Sequence, residues 1–307
     1  MPLYLSENDV EALLGPEEAV DAIEECFRRL ARGSIENLPR HRLRMETGVL
    51  AVMGAADSEL ELAGSKTYLA SPDGASFVVS LFAGGETVAV IEADRLGQLR
   101  TGAASGVAAR HLARPRARSL GVIGCGWQAE SQVACIRAAV PSLENVVAYC
   151  RTPQRLASFC ERTGAEPGES HSDAGEQDIV VTATTSKDPV LRGDWLRTGV
   201  LVCAMGANRS NARELDDLAL QRAAFVCCDS LEQARVESAD LIEPVEHGVL
   251  DWLEVHELQE VVAGETEGRQ SPEDVVVFKS NGIAAWDVAI AALAVERARE
   301  HGVGTQL

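Results

Sequence analysis

Aromatic residues are scarce, with 4 Trp, 3 Tyr and 6 Phe in 307 positions. A core must therefore be built mainly from Ala, Val, Leu and Ile, as in parallel sheets covered by helices. Positive charge is also short. Lys and Arg number 28 against 47 Asp and Glu, a formal net charge of −19 and a pI near 4.7. That balance argues against a nucleic-acid or anionic-membrane partner, since both need a basic face. Any site for an anion must be local, made from a few placed cations and helix N-termini. No stretch reaches about 18 apolar residues, so no bilayer span is expected. Residues 1–30 alternate charged and apolar side chains and show no secretory signal. The eight cysteines include no C-x-x-C pair and the six histidines are scattered singly. No metal site is therefore expected, and the cysteines read as reduced thiols of a cytoplasmic protein.

What remains is an ordinary globular mix, 46% hydrophobic and 24% charged. At roughly 150 residues per domain, the length suggests about two domains. Helices are expected from Glu7 and from Pro16 to Arg32, with Gly33 as the stop. Strand-like segments follow at 38–55, 62–69, 76–83 and 86–92, separated by turns at Glu46-Thr47-Gly48, Ser71-Pro72-Asp73-Gly74 and Gly84-Gly85. A helix from Asp94 to Leu112 closes this part. Strands and helices then alternate. Strands are expected at 119–123, 145–149, 178–182, 200–205 and 224–228, with helices between them, and a long helix at 284–301. Alternation of this kind implies a parallel, doubly wound α/β sheet of Rossmann type. The expected plan is a dinucleotide-binding domain at 116–283. Beside it stands an α+β substrate and dimerisation domain at 1–115, completed by 284–307.

The strongest local signal is Gly124-x-Gly126-x-x-Ala129, which follows an apolar strand and opens a helix. Gly124 permits the tight turn, Gly126 lets backbone approach a pyrophosphate, and Ala129 allows close helix–strand packing. Trp127 and Gln128 stand at the helix start, where free N–H groups face an anion. The second strand ends at Cys150-Arg151-Thr152, where an NAD site usually carries an acid for the ribose 2′-hydroxyl. Arg151, with Arg155 a turn later, suits a 2′-phosphate, so NADP(H) is expected over NAD(H). Thr152, Thr182, Thr184, Met205 and Gly206 complete the expected cofactor set.

These residues resemble the ornithine cyclodeaminase/μ-crystallin family. The resemblance is carried by Gly121 to Ala129, by Leu99-Arg100-Thr101-Gly102-Ala103-Ala104-Ser105, by Met205-Gly206-Ala207-Asn208 through Arg213-Glu214-Leu215-Asp216, and by Phe278-Lys279-Ser280-Asn281-Gly282 with Trp286-Asp287. The blocks stand in family order and span nearly the whole chain. The resemblance implies a homodimer and a small α-imino or α-amino acid whose C–N bond exchanges hydride with a nicotinamide. It also implies that Arg40, Lys66 and Arg100 hold the substrate carboxylate. The residues agree with that role, since arginine grips a carboxylate bidentately. A lysine in the apolar setting of Lys66 would have a lowered pKa and could exchange a proton with nitrogen. Arg42 and Arg44 alternate with Arg40, so any of the three could point inward.

The departure is Asn208. Cyclodeaminases and the alanine dehydrogenase of the family carry Asp there, and the Pro-Gly-Lys that follows in cyclodeaminases is replaced by Ser210-Asn211-Ala212. An amide can orient an imine or amine but cannot accept its proton. The pattern therefore points to an NADPH-dependent reductase of α-imino acids, of ketimine, pyrroline- or piperideine-carboxylate type. Three alternatives stand beside it: a cyclodeaminase with recycled NAD+, an alanine or N-alkylating amino acid dehydrogenase, and a non-enzymatic ligand binder. Glu257 is a further candidate for the site.

Overall fold

A computed structural model describes all residues 1–307. The chain forms two compact units, Met1–Arg100 with Ile283–Leu307, and Thr101–Gly282. The division falls inside the helix Asp94–Leu112.

The first unit holds a seven-stranded sheet. Its strands are β1 (Leu3–Leu5), β2 (Ile35–Met45), β3 (Gly48–Asp57), β4 (Leu62–Ser71), β5 (Gly74–Ala83), β6 (Glu86–Glu92) and β15 (Thr305–Gln306), in the order β15-β1-β6-β5-β4-β3-β2. Strands β2 to β6 form an antiparallel meander. The β5–β6 turn runs through Gly84 and Gly85 at φ +58° and +80°, a conformation that glycine adopts without strain. The helices Pro16–Ala31 and Ala284–His301 supply the core of this unit. The fully buried Trp286 meets Phe27 edge-on, ring centroids 5.5 Å apart. A Cβ at Gly64 would press on Val288, so the C-terminal helix lies close upon β4 at that point.

The second unit is the doubly wound domain. Eight strands, all parallel, run in the order β13-β12-β14-β11-β10-β7-β8-β9. They are β7 (Ser119–Ile123), β8 (Asn145–Tyr149), β9 (Glu166–Pro167), β10 (Ile179–Thr182), β11 (Leu201–Ala204), β12 (Phe225–Cys228), β13 (Val255–Glu257) and β14 (Val276–Lys279). Strand order reverses between β7 and β10, the place where an open α/β sheet leaves a crevice at its carboxyl ends. The strands β7, β10, β11 and β14 are almost wholly apolar and buried, as a sheet covered on both faces requires. The architecture thus comprises a Rossmann-type sheet and an α+β unit that includes the C-terminal helix. No helix is long and apolar enough to cross a membrane.

Candidate functional site

In the first unit, three cations gather around one acid. Lys66 lies on β4, Arg100 on the helix Asp94–Leu112, Arg40 on β2 and Asp287 on the C-terminal helix. The Lys66 ammonium donates to Asp287 Oδ1 at 2.8 Å, and Arg100 Nε donates to the same oxygen at 3.1 Å. All four side chains are buried, Lys66 at 4% exposure and Asp287 at 1%. The Arg100 guanidinium also lies 5.6 Å from the Trp286 ring, within cation–π range. Burial pushes the Lys66 pKa down to about 8; Asp287 works to raise it, while Arg100 and Arg40 lower it further. Burial works to raise the Asp287 pKa, but Arg100, Lys66 and Arg40 hold it below the usual carboxylate range.

The choice among Arg40, Arg42 and Arg44 is made by backbone. Strand β2 changes register against β3 between Leu38 and His41, around Pro39. A bulge re-aims the side chains within it, and Arg40 is buried there while Arg42 is half-buried and Arg44 exposed. Arg40, Lys66 and Arg100 therefore share one cluster. Its acid, Asp287, stands in the sequence only within the Trp286-Asp287 motif. Its partner Lys66 lies 221 residues away, and no local pattern reports such a pair.

In the second unit, the glycine turn has the form that a dinucleotide needs. Gly124 has φ +109°, and a Cβ there would collide with the Ala183 carbonyl. A Cβ at Gly126 would meet nothing, so the space beside its backbone is open. Gly126 is also the N-cap of the helix Trp127–Ala139; no side chain caps it, and the Ala129 N–H turns back to the Gly126 carbonyl at 3.0 Å, so the positive end of the helix faces this open space. Ala129 is fully buried and Trp127 exposed. This cradle fits the pyrophosphate of a nicotinamide dinucleotide.

The neighbouring loops are held by a buried acid. Glu214 accepts from Thr182 Oγ1 at 2.9 Å, from the Thr184 backbone and hydroxyl at 2.7 Å each, from Gly206 N at 2.7 Å and from Ala207 N at 3.2 Å. The Thr182 and Thr184 hydroxyls are thus engaged by Glu214. Asp240 accepts from the backbone N–H groups of Glu214 and Leu215 and pairs with Lys279 Nζ at 3.0 Å. Burial raises the Glu214 pKa, while Lys279 lowers it. Glu214, Asp240 and Lys279 were not singled out for any role in the sequence, because only the fold brings them together. Asn208 lies half-buried in the loop after Ala207, and Arg151, Thr152 and Arg155 are exposed. Glu257 caps the helix Leu258–Val262 and accepts from Leu231 N at 2.7 Å, a structural engagement.

A family model described as ornithine cyclodeaminase/mu-crystallin matches residues 2–302. An alanine dehydrogenase of Archaeoglobus fulgidus is 35% identical over 99% of this chain and 98% of its own. The structure of Thermococcus litoralis Δ1-pyrroline-2-carboxylate reductase in complex with NADH and L-proline is similar at a TM-score of 0.93. It is 32% identical, over 99% of this chain and 100% of that one. An archaeal alanine dehydrogenase dimer with bound NAD is similar at 0.93, with 33% identity over 100% and 98% of the two chains. These dinucleotides correct the expected preference for NADP(H), since both similar structures hold the form without a 2′-phosphate. The physical reason lies in the argument from Arg151. Losing an acid removes repulsion of a 2′-phosphate, but an arginine does not repel a neutral 2′-hydroxyl. Arg151 and Arg155 are exposed, so each stays solvated whichever dinucleotide binds.

Proposed function

Since the chain belongs to the ornithine cyclodeaminase/mu-crystallin family, we propose that it reduces a small α-imino acid to the amino acid with NADH. The observation that carries this reading is the buried cluster of Arg40, Lys66 and Arg100 around a single acid. Three cations drawn out of water into one cluster in a chain of net charge −19 favour a bound anion. The substrate carboxylate is that anion. Gly124, Gly126 and the N-terminus of the helix Trp127–Ala139 would hold the dinucleotide, with Glu214 fixing the loops that carry Thr184 and Gly206. When bound, the reduced nicotinamide supplies the hydride for the imino carbon.

The protein's own part is to hold the carboxylate, orient the C=N bond and provide one proton. Lys66 Nζ is buried beside the cluster and its pKa of about 8 leaves it protonated at neutral pH yet able to release that proton. The nitrogen gains the proton as the carbon gains hydride, and Lys66 is recharged from solvent. Following the archaeal neighbour, the chain is read as a homodimer.

Oxidation of NADH with Δ1-pyrroline-2-carboxylate, piperideine-2-carboxylate, and pyruvate plus ammonia or methylamine tests the proposal. Turnover with one of them is the expected result. Ammonia release from ornithine without net NADH change would replace it with cyclodeamination. Pyruvate plus ammonia as the best pair would favour alanine dehydrogenation, to which the Archaeoglobus relative lends weight.

A further inference from the structure

Asp287 has two carboxylate oxygens, and the fold uses one. Both Lys66 and Arg100 donate to Oδ1. Oδ2 is shut off from solvent and has no donor. A buried carboxylate oxygen without a hydrogen bond is costly, and in a native protein such an atom requires an account. Protonation does not supply it, because the surrounding Arg100, Lys66 and Arg40 keep the acid ionised. The oxygen is therefore an acceptor in want of a donor.

Resting on the reading of the chain as an imino acid reductase, we infer that Asp287 Oδ2 accepts the N–H of the substrate nitrogen. That donor is the protonated imine on entry and the ammonium of the amino acid at release. The shape of the ligand places it. In an α-imino or α-amino acid, carboxylate and nitrogen sit on the same carbon, so cations that grip the carboxylate bring the nitrogen close beside them. Asp287 is in direct contact with two of those cations. Charge leads to the same atom. Lys66 and Arg100 are in direct contact with Asp287, and Arg40 acts on it as well. A positively charged nitrogen would be repelled unless an acid met it. Asp287 thus sets specificity for nitrogen at the α-carbon, and the pocket disfavours acids that lack it.

The test compares two ligands with one ring and one carboxylate, L-proline and cyclopentanecarboxylate, the second lacking nitrogen. Each is titrated into the NADH complex of the full chain. Wild type is expected to hold L-proline about tenfold or more tightly over its analogue, the range of a hydrogen bond to a charged group. Asp287→Asn is expected to bring that ratio near one while cyclopentanecarboxylate still binds. If Asp287 serves only to hold Lys66 and Arg100, the variant weakens both ligands alike, the ratio survives, and the inference is overturned. A wild type that binds both equally overturns it with no variant at all, so a misfolded variant cannot shield it. The reduction assay separates the two readings. An enzyme that reduces imines but shows no nitrogen preference defeats the inference alone, and one that reduces none of them defeats both.

Discussion

Two of the three lysines in the chain are sealed inside it, and their surroundings differ in sign. Lys66 stands with Arg40 and Arg100 around Asp287. Lys279 stands against Asp240, with Glu214 near, so acids outnumber cations. The second cluster is held mostly by backbone and hydroxyl donors. Five donors meet Glu214, and two N–H groups meet Asp240. Asp240 Oδ2 also lacks a hydrogen bond but has Lys279 Nζ at 3.0 Å, whereas in the first cluster Lys66 and Arg100 both donate to Asp287 Oδ1 and leave Oδ2 without a donor. A buried charge cluster that satisfies itself holds loops in place. One that keeps an idle acceptor beside two cations is shaped for a ligand that brings both a carboxylate and an N–H.

The comparison breaks most visibly at Lys66. Lys66→Met should lower kcat/KM for imine reduction by about a thousandfold, the middle of the range for a lost proton donor. Its melting temperature should hold or rise, since the change removes a desolvated charge and leaves Asp287 with Arg100. A normal rate in the variant would remove Lys66 from the chemistry. The pH profile sharpens the same point. The protonated amine is the donor and its pKa is about 8, so kcat/KM should fall as pH rises through that value. Asp287 raises the Lys66 pKa, hence Asp287→Asn should move the fall to lower pH. A shift upward would reverse the assigned electrostatics.

Lys279→Met should show the opposite balance. It leaves Asp240 and Glu214 buried without their cation, which costs about 3–5 kcal/mol, a large share of a typical domain's stability. Urea denaturation would measure the loss, and the rate per folded molecule should change far less. If the variant is stable but slow, the second cluster belongs to the chemistry after all.

The open cluster was half legible in the sequence. Arg40, Lys66 and Arg100 could be proposed from their neighbours, and the alternation of strand and helix after residue 115 gave the doubly wound sheet. What stayed hidden depends on tertiary placement. Asp287 meets Lys66 across 221 residues. Arg40 is chosen over Arg42 and Arg44 by a bulge that no spacing rule reports. The central strand β14 lies in the run Val275 to Lys279, where the sequence offered a motif but no periodicity. The cofactor preference failed for a different reason: it was drawn from one exposed side chain, and an exposed cation says little about a neutral hydroxyl.

Gly126 marks where the closed unit opens to a ligand. Its φ of −91° suits any residue and a Cβ there meets nothing, so Gly126→Ala should fold as wild type. The methyl would occupy the space proposed for the pyrophosphate, weakening NADH binding by about 1–3 kcal/mol, as for a group forced into filled space. Gly124→Ala should instead lose stability, because its φ of +109° and the Ala183 carbonyl both oppose a side chain. Equal effects at the two glycines in a thermal melt would erase the distinction between the turn's fold and its ligand.

The smallest effect is expected at Arg151. The side chain is exposed, and its only electrostatic consequence seen in the fold is to help lower the pKa of His171, an effect in which burial is the larger cause. An exposed side chain away from caps and buried networks is usually worth within about 0.5 kcal/mol. Arg151→Ala should therefore change the KM for NADH by no more than about twofold and leave the melting temperature where it was. Steady-state kinetics at saturating imine would read it directly. A tenfold rise in KM would mean that the guanidinium leaves solvent to grip the bound dinucleotide, and the boundary between surface and site in the second unit would have to be drawn further out, past the end of β8.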